Sequence, residues 1–337
     1  MLPPLLSIHE LQIALPGAEL DWASNYEEQI CRAPPSSMNS ICSAIARVGA
    51  GTAVQADSEQ PTQLITLFTA FGQLVASQNL SRTMVLCCEE GNNVSASIVD
   101  PADTLWQKSF DALSKSGCSQ PLSQAAQDAR PDAFAASARL LTILACTPAR
   151  LLYPFSKWQT SAQGSGKARE ELLSILSNDI PRARHCLYLS AQLFRHFRSM
   201  PASSHFDTLA LLICVLYLVA YIELVELQRP GIASRGDNAI SVMKVIRLDR
   251  ALSDDERDDW LNGRSRSRPY VTGLGLLDTD RSVARLLKEA SRITMSNSAT
   301  STLAEAMSGM LASLATGRSP DFSNDQLEPF GSSSNCT

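Results

Sequence analysis

The stretch ARHCLYLSAQLFRHFRSMPASSHFDTLALLICVLYLVAYIELVEL, from Ala183 to Leu227, decides the fold. It reads as two helices joined by a short turn. In the first, Cys186, Ser190, Leu193 and Phe197 recur at i, i+4, i+7 and i+11, one face of a helical period. Tyr188, Gln192 and Arg195 fall on the opposite side. Met200 to Ser204 then break the pattern, and Ser204 with Asp207 has the spacing of a capping box. From about Phe206 through Ile222 the second helix is apolar all round. A helix without a polar face has to be enclosed by others, so this one is predicted to be central. A membrane span is the competing reading. The uncharged run is bounded by Asp207 and Glu223, short of the ~20 apolar residues a span needs. Neither basic flanks nor aromatic belts accompany it. The expectation is an all-α fold, one large helical domain around a buried central helix, with no membrane contact.

Working outward, other segments carry the same helical period. Pro61 suits a first helical turn, and Leu64, Leu67, Phe68, Phe71, Leu74 and Val75 follow at core spacing. Asp100-Pro101 is a cap and first-turn pair ahead of Leu105, Trp106, Phe110 and Leu113. A polar loop is expected over Gly117 to Arg130, then a helix with Phe134, Leu141 and Leu144 on one side, ended by Thr147-Pro148. Another helix is expected from about Lys167 to Leu176. Late in the chain, Val283, Leu286, Leu287, Ala290 and Ile293 mark one amphipathic helix, and Leu303, Met307, Met310, Leu311 and Leu314 mark a second. The first residues hold a short helix and a second one capped by Asp21 or Ser24, and residues 34–60 read as a loop. No run of alternating strands and no internal repeat is visible. The helical domain is placed at residues 1–316, and the Ser-, Asn-, Gly- and Pro-containing residues 317–337 read as a disordered tail.

Composition narrows the class. With 45% hydrophobic and 19% charged residues the chain matches ordinary globular proteins, and a net charge of −5 does not suit a general polyanion binder. Met1 to Gln60 carries Arg32 and Arg47 against Glu10, Glu19, Asp21, Glu27, Glu28, Asp57 and Glu59, so this end would repel phosphate. Nine cysteines lack regular spacing, and Cys146, Cys186 and Cys214 sit inside apolar helical patterns. Buried free thiols in a reducing compartment are the expectation. The start MLPPLLSIHELQI lacks the features of a secretory leader, which points to an intracellular soluble protein.

Chemistry-bearing motifs are incomplete. Gly164-Ser165-Gly166-Lys167 is half a phosphate-binding loop, with Ser161 where the motif has glycine and Ala168 where it has the hydroxyl for Mg²⁺. A flexible loop before a helix is the expectation there. Gly273-Leu274-Gly275 lacks the third glycine, since Asp278 takes its place. No cysteines have CxxC spacing, and adjacent Cys87 and Cys88 do not form a zinc knuckle. His185 and His196 lie eleven residues apart, three turns along one helix and too far to share a metal, so both read as surface residues. Arg264, Arg266 and Arg268 follow Asp254, Asp255, Glu256, Asp258 and Asp259, which could neutralise them locally, so a solvated charged loop is expected. No catalytic, cofactor-binding or metal residue is assigned, and no cofactor.

Several phrases then combine. LPGAELDWASNYEE resembles the LP…W.A…eW stretch of the fungal-specific transcription factor domain, or middle homology region, as found in fungal two-cysteine two-histidine zinc-finger and zinc-cluster regulators. LLTILACTPARLLYPFS is similar to its helix-then-proline segment, and KAREELLSIL to the helix that follows. The stretch from Ala183 to Tyr221 resembles its most recognisable block, with Arg198, Pro201 and Phe206 in place. VIRLDR, the Trp260 segment and GRSRSRPYVTGLGLL match its late RLDR…W…G…R.Y..G.G portion. The resemblance covers about Ser7 to Ala315, in the correct order; one departure is Ile30, where a tryptophan belongs after Tyr26.

The resemblance implies an all-helical regulatory domain of a nuclear transcription regulator, of a kind often found beside secondary-metabolite biosynthetic genes, and not an enzyme. The expected partners are transcription machinery or co-regulator proteins, with self-association as a homodimer left open. Such regulators carry a zinc-binding DNA-recognition module ahead of this region, whereas Met1 already lies inside it, so promoter DNA contact is expected only if such a module is supplied. The alternative is an effector-sensing or adaptor protein with an apolar pocket near Cys214 and Tyr217, and after that a cryptic biosynthetic enzyme.

Overall fold

The computed structural model describes residues 63–76, 101–119, 133–199, 205–226, 244–265, 267–278, 280–296 and 302–316. The expectations for the first 60 residues, for Asp100, Ser204 and Arg266, and for the tail lie outside them. The helices are α1 (Gln63–Ala76), α2 (Pro101–Ser119), α3 (Ala133–Cys146), α4 (Ala149–Phe155), α5 (Ala162–Asn178), α6 (Ile180–Ser199), α7 (His205–Tyr221), α8 (Asp254–Leu261), α9 (Asp280–Ser296) and α10 (Thr302–Thr316). The protein is largely helical, as the apolar periodicity predicts.

Helix α7 is the hub. Every residue from Ala210 to Ile222 is buried, and α7 packs against α3, α4, α6, α9 and α10. Its all-round apolar surface is what five neighbours require. The helix does not stop at Tyr221 but runs on as a single π turn, Ile222–Glu226, which packs against α5. Phe206–Glu226 is therefore 21 residues long, enough by length and composition to cross a membrane, so the length argument from sequence does not separate the two readings. Burial does, since 83% of its most apolar window lies inside the protein, as in a core helix. Helices α3 and α4 together pass the same length test, but Thr147-Pro148 between them bends the chain by 77° and both pack onto α7.

A second, smaller cluster joins Leu67, Ala70 and Leu74 of α1, Phe110 and Leu113 of α2, and Phe134, Ala138 and Leu141 of α3. Phe68, expected in the core, is 41% exposed and meets the Phe206 ring edge-on. Helix α2 runs on through Gly117, where a loop was expected. A Cβ on Gly117 would collide with Ala138 and crowd the Phe134 ring, so glycine here lets α2 and α3 close together.

Helix α5 likewise starts at Ala162, ahead of the expected Lys167, and takes Gly164 to Lys167 into its first turns. The Ser161 side chain caps it, its Oγ accepting from the Gly164 amide at 3.1 Å. The half phosphate loop is thus helix, not a flexible loop.

Between α7 and α9 lies a small sheet that sequence periodicity does not reveal. Strands β1 (Val245–Arg247), β2 (Arg268–Val271) and β3 (Gly275–Leu276) are too short to display alternation. β1 runs parallel to β2 with Ile246 opposite Pro269, and β2 runs antiparallel to β3 with Tyr270 opposite Leu276. Helix α8 connects β1 to β2. Ser253 caps it, Asp254, Asp255 and Glu256 occupy the first turn where the helix dipole favours them, and Trp260 is buried at its end.

Candidate functional site

Two groups of polar side chains gather on α6, the helix with the fewest free sides. The first is a row of donors toward the chain from Lys244 to Asp278. Arg184 Nη1 donates to the Trp260 carbonyl at 2.7 Å and its guanidinium lies 5.8 Å from the Trp260 ring centroid. Arg195 Nη1 donates to the Asp249 carbonyl at 2.6 Å, and Arg198 Nη1 to the Thr272 carbonyl at 2.5 Å. The Tyr188 hydroxyl donates to the Arg250 carbonyl and accepts from the Leu252 amide, both at 3.4 Å. The strap also supplies apolar anchors, with Ile246, Leu248, Trp260, Val271, Leu274 and Leu277 all buried. Gly263 and Gly273 adopt positive φ (72° and 85°), and a Cβ on either would press on Arg184 or Arg198.

The expected polar face of α6 is therefore not a solvent face. Tyr188 is 7% exposed, and Gln192 accepts from the Nε of Arg139 at 3.1 Å. Arg139 is buried on α3. Its guanidinium also donates to the Ala135 and Cys118 carbonyls at 2.9 and 3.1 Å, so it satisfies the carboxy-terminal end of α2, where a cation is favoured. No spacing in the sequence marks Arg139, because its partners are backbone carbonyls from another helix.

The second group is built on the other side of α6. Cys146, the last residue of α3, and Cys186 on α6 are hydrogen-bonded thiols. The Nε of Arg182, one turn before Cys186, donates to Cys146 Sγ at 2.8 Å. Cys186 donating to it, and Arg182 beside it, hold the Cys146 thiol below its usual value, against burial and the Asp179 carboxylate. The same hydrogen bond and full burial push Cys186 well above it. Tyr217 from α7 closes the group, its hydroxyl donating to the Ala183 carbonyl at 2.9 Å, and burial raises its pKa. Cys186 and Cys214 are buried free thiols as expected, whereas Cys146 is partly exposed.

The remaining sites noted in the sequence stay apart from these. Cys214 and Tyr217 are fully enclosed, and the Cys214 thiol donates to the Leu211 carbonyl at 3.0 Å, so the core already fills the place proposed for an effector. His185 and His196 are half-buried, not solvated, and burial lowers both pKa values, with nearby Arg257 and Arg182 adding to this at His185. Arg264 pairs loosely with Asp259 at 3.9 Å, as local neutralisation predicts. Arg268 instead begins β2 and pairs with Asp278. Among the described residues, no group of three or more His, Cys, Asp or Glu side chains is placed to hold a metal ion.

No family model matches the chain, and no solved structure matches it. Over 154 residues, 46% of its length, it is 26% identical to a protein of Gibberella fujikuroi named "Transcription factor". The aligned part takes in 19% of that protein, so the likeness of this chain is to a stretch of a transcription factor and not to its whole length.

Proposed function

We propose that the chain is a transcription regulator whose helical body is a fungal-specific transcription factor domain, working in the nucleus through protein contacts. The observation that carries this reading is the partial identity to a protein named as a transcription factor, taken with the ordered phrases of the sequence. The architecture supports it in one respect. The phrases from Leu140 to Ser156, Lys167 to Leu176, Ala183 to Tyr221, Val245 to Arg250 and Gly263 to Leu277 are distant in sequence, yet contribute to one core through α3 to α7 and the α6-bound strap. A shared pattern spread over such segments is a pattern of packing, which fits a regulatory body more than a reaction centre.

In this reading the domain covers residues 1–316, catalyses no reaction, and binds transcription machinery, a co-regulator or a second copy of itself. Regulation of a secondary-metabolite gene cluster is part of the proposal. Promoter DNA is contacted only where a zinc-binding module is joined to it. The effector-sensing alternative is less favoured, because Cys214 and Tyr217 are packed and internally bonded.

The test fuses the full chain to a heterologous DNA-binding domain in a fungal reporter strain and images a fluorescent fusion in parallel. Nuclear accumulation with a reporter change is expected. Exclusion from the nucleus with an unchanged reporter overturns the reading. Fluorescence anisotropy with duplex DNA near physiological salt should show no sequence-specific binding by the chain alone, and a tight, steeply salt-dependent complex would remove the part about DNA.

A further inference from the structure

We propose that Cys146 and Cys186 form a peroxide-responsive dithiol, in which Cys146 is the attacking sulfur, Cys186 resolves it to a disulfide, and Arg182 positions the attacking thiolate. This is a modification site independent of the reading above, since it rests on side chains at the α3–α6 junction and not on any role in transcription.

Three observations carry it. The two thiols come from packed helices and are hydrogen-bonded to each other. Only one can meet a reagent first, because Cys146 is partly exposed at the end of α3 whereas Cys186 is fully buried. Arg182, exposed at the protein surface, directs its Nε to Cys146 Sγ at 2.8 Å, so a cation stands at the sulfur that solvent reaches. A thiolate beside a guanidinium and open to solvent is the form that peroxides oxidise. The charged groups facing the pair are Arg182 and Asp179 on the α6 side, with Arg139 and Cys118 near the α3 side and Tyr217 from α7. Arg182 is the one in direct contact with Cys146.

The chemistry balances as two steps. The Cys146 thiolate attacks the distal oxygen of a hydroperoxide: an S–O bond forms, the O–O bond breaks, and the leaving alkoxide takes a proton and departs as alcohol. Cys146 is now a sulfenic acid. The Cys186 sulfur, releasing its proton, then attacks the Cys146 sulfur: an S–S bond forms, the S–O bond breaks, and hydroxide leaves with that proton as water. Two thiols are oxidised by two electrons, and one hydroperoxide is reduced to alcohol and water. The disulfide fastens the end of α3 to α6 and removes the sulfur charge that Arg182 faces.

The experiment exposes the purified full chain to a small excess of hydrogen peroxide, blocks remaining thiols with N-ethylmaleimide and maps peptides without reduction. A peptide joining Cys146 to Cys186, released by dithiothreitol, is expected. In Cys186→Ala, Cys146 should stop at the sulfenic acid and be captured by dimedone. In Cys146→Ala, Cys186 should stay a thiol. Arg182→Gln changes an exposed residue and leaves the core alone. It should slow alkylation and oxidation of Cys146 by at least about threefold and move the pH midpoint of alkylation upward. The proposal is overturned if peroxide leaves both thiols free, if Cys146 pairs with another of the nine cysteines, or if Arg182→Gln changes neither rate nor midpoint.

Discussion

Helix α7 and the strap from Lys244 to Asp278 are both held in the same core, by different forces. Helix α7 is enclosed through apolar contact on every side, which is strong in sum but has no direction. The strap has anchors such as Trp260, but its path is set by directed bonds, with the arginines of α6 donating to carbonyls of Asp249, Trp260 and Thr272. The first arrangement fixes that a helix is buried, and the second fixes where each residue of an irregular segment lies. An irregular segment has to satisfy its backbone groups from outside itself, and α6 supplies the donors.

Three substitutions test this contrast. The largest effect belongs to the hub. Leu216→Ala removes a fully buried side chain and should cost about 2–5 kcal/mol in chemical denaturation, with hydrogen exchange rising across α3, α6, α7 and α9 together. If exchange rose in α7 alone, the hub description would be wrong. Gly273→Ala comes next. It places a Cβ at a positive φ and against Arg198, so a loss of about 1–2 kcal/mol is expected, with exchange rising first in residues 267–278. An unchanged denaturation midpoint would show that the strap relaxes freely there. The smallest effect is that of Arg195→Met, which keeps the aliphatic stem over the protein but removes the bond to the Asp249 carbonyl. About 1 kcal/mol is expected, seen as faster exchange near Leu248 and Leu252 while α7 keeps its protection. Equal loosening of α7 would mean the two regions are held by one force after all.

The same contrast explains how far the sequence could be read. Apolar residues without a polar face identify α7, and spaced apolar residues identify α9 and most of α10, because burial leaves its mark on the buried residues themselves. Tyr188, Gln192 and Arg195 look like a wet face by the same logic. They are covered because a later segment brings carbonyls to them, and a backbone carbonyl leaves no trace in residue identity. The helical Gly117 and Gly164 are hidden for a related reason. Glycine marks loops by default, and only a close helix–helix approach at Gly117 and the Ser161 cap near Gly164 reverse that preference. The Cys146 and Cys186 thiols were legible as buried sulfur, but their meeting, forty residues apart and across two helices, was not.

The π turn that closes the hub helix has a consequence for how this chain tolerates length change. A π turn holds one more residue than the α turn it replaces, so removing any one residue from Ile222 to Glu226 would let the backbone close in ordinary α geometry. The deletion would leave the helix intact yet turn everything beyond it by about 100°. Leu224 would swing out of the interior, and Glu223 would lose the Arg169 guanidinium it now reaches at 3.2 Å. The surplus residue thus acts as a phase setting for the segment that leaves the hub, which makes this turn less tolerant of deletion than the ends of α5 or α9.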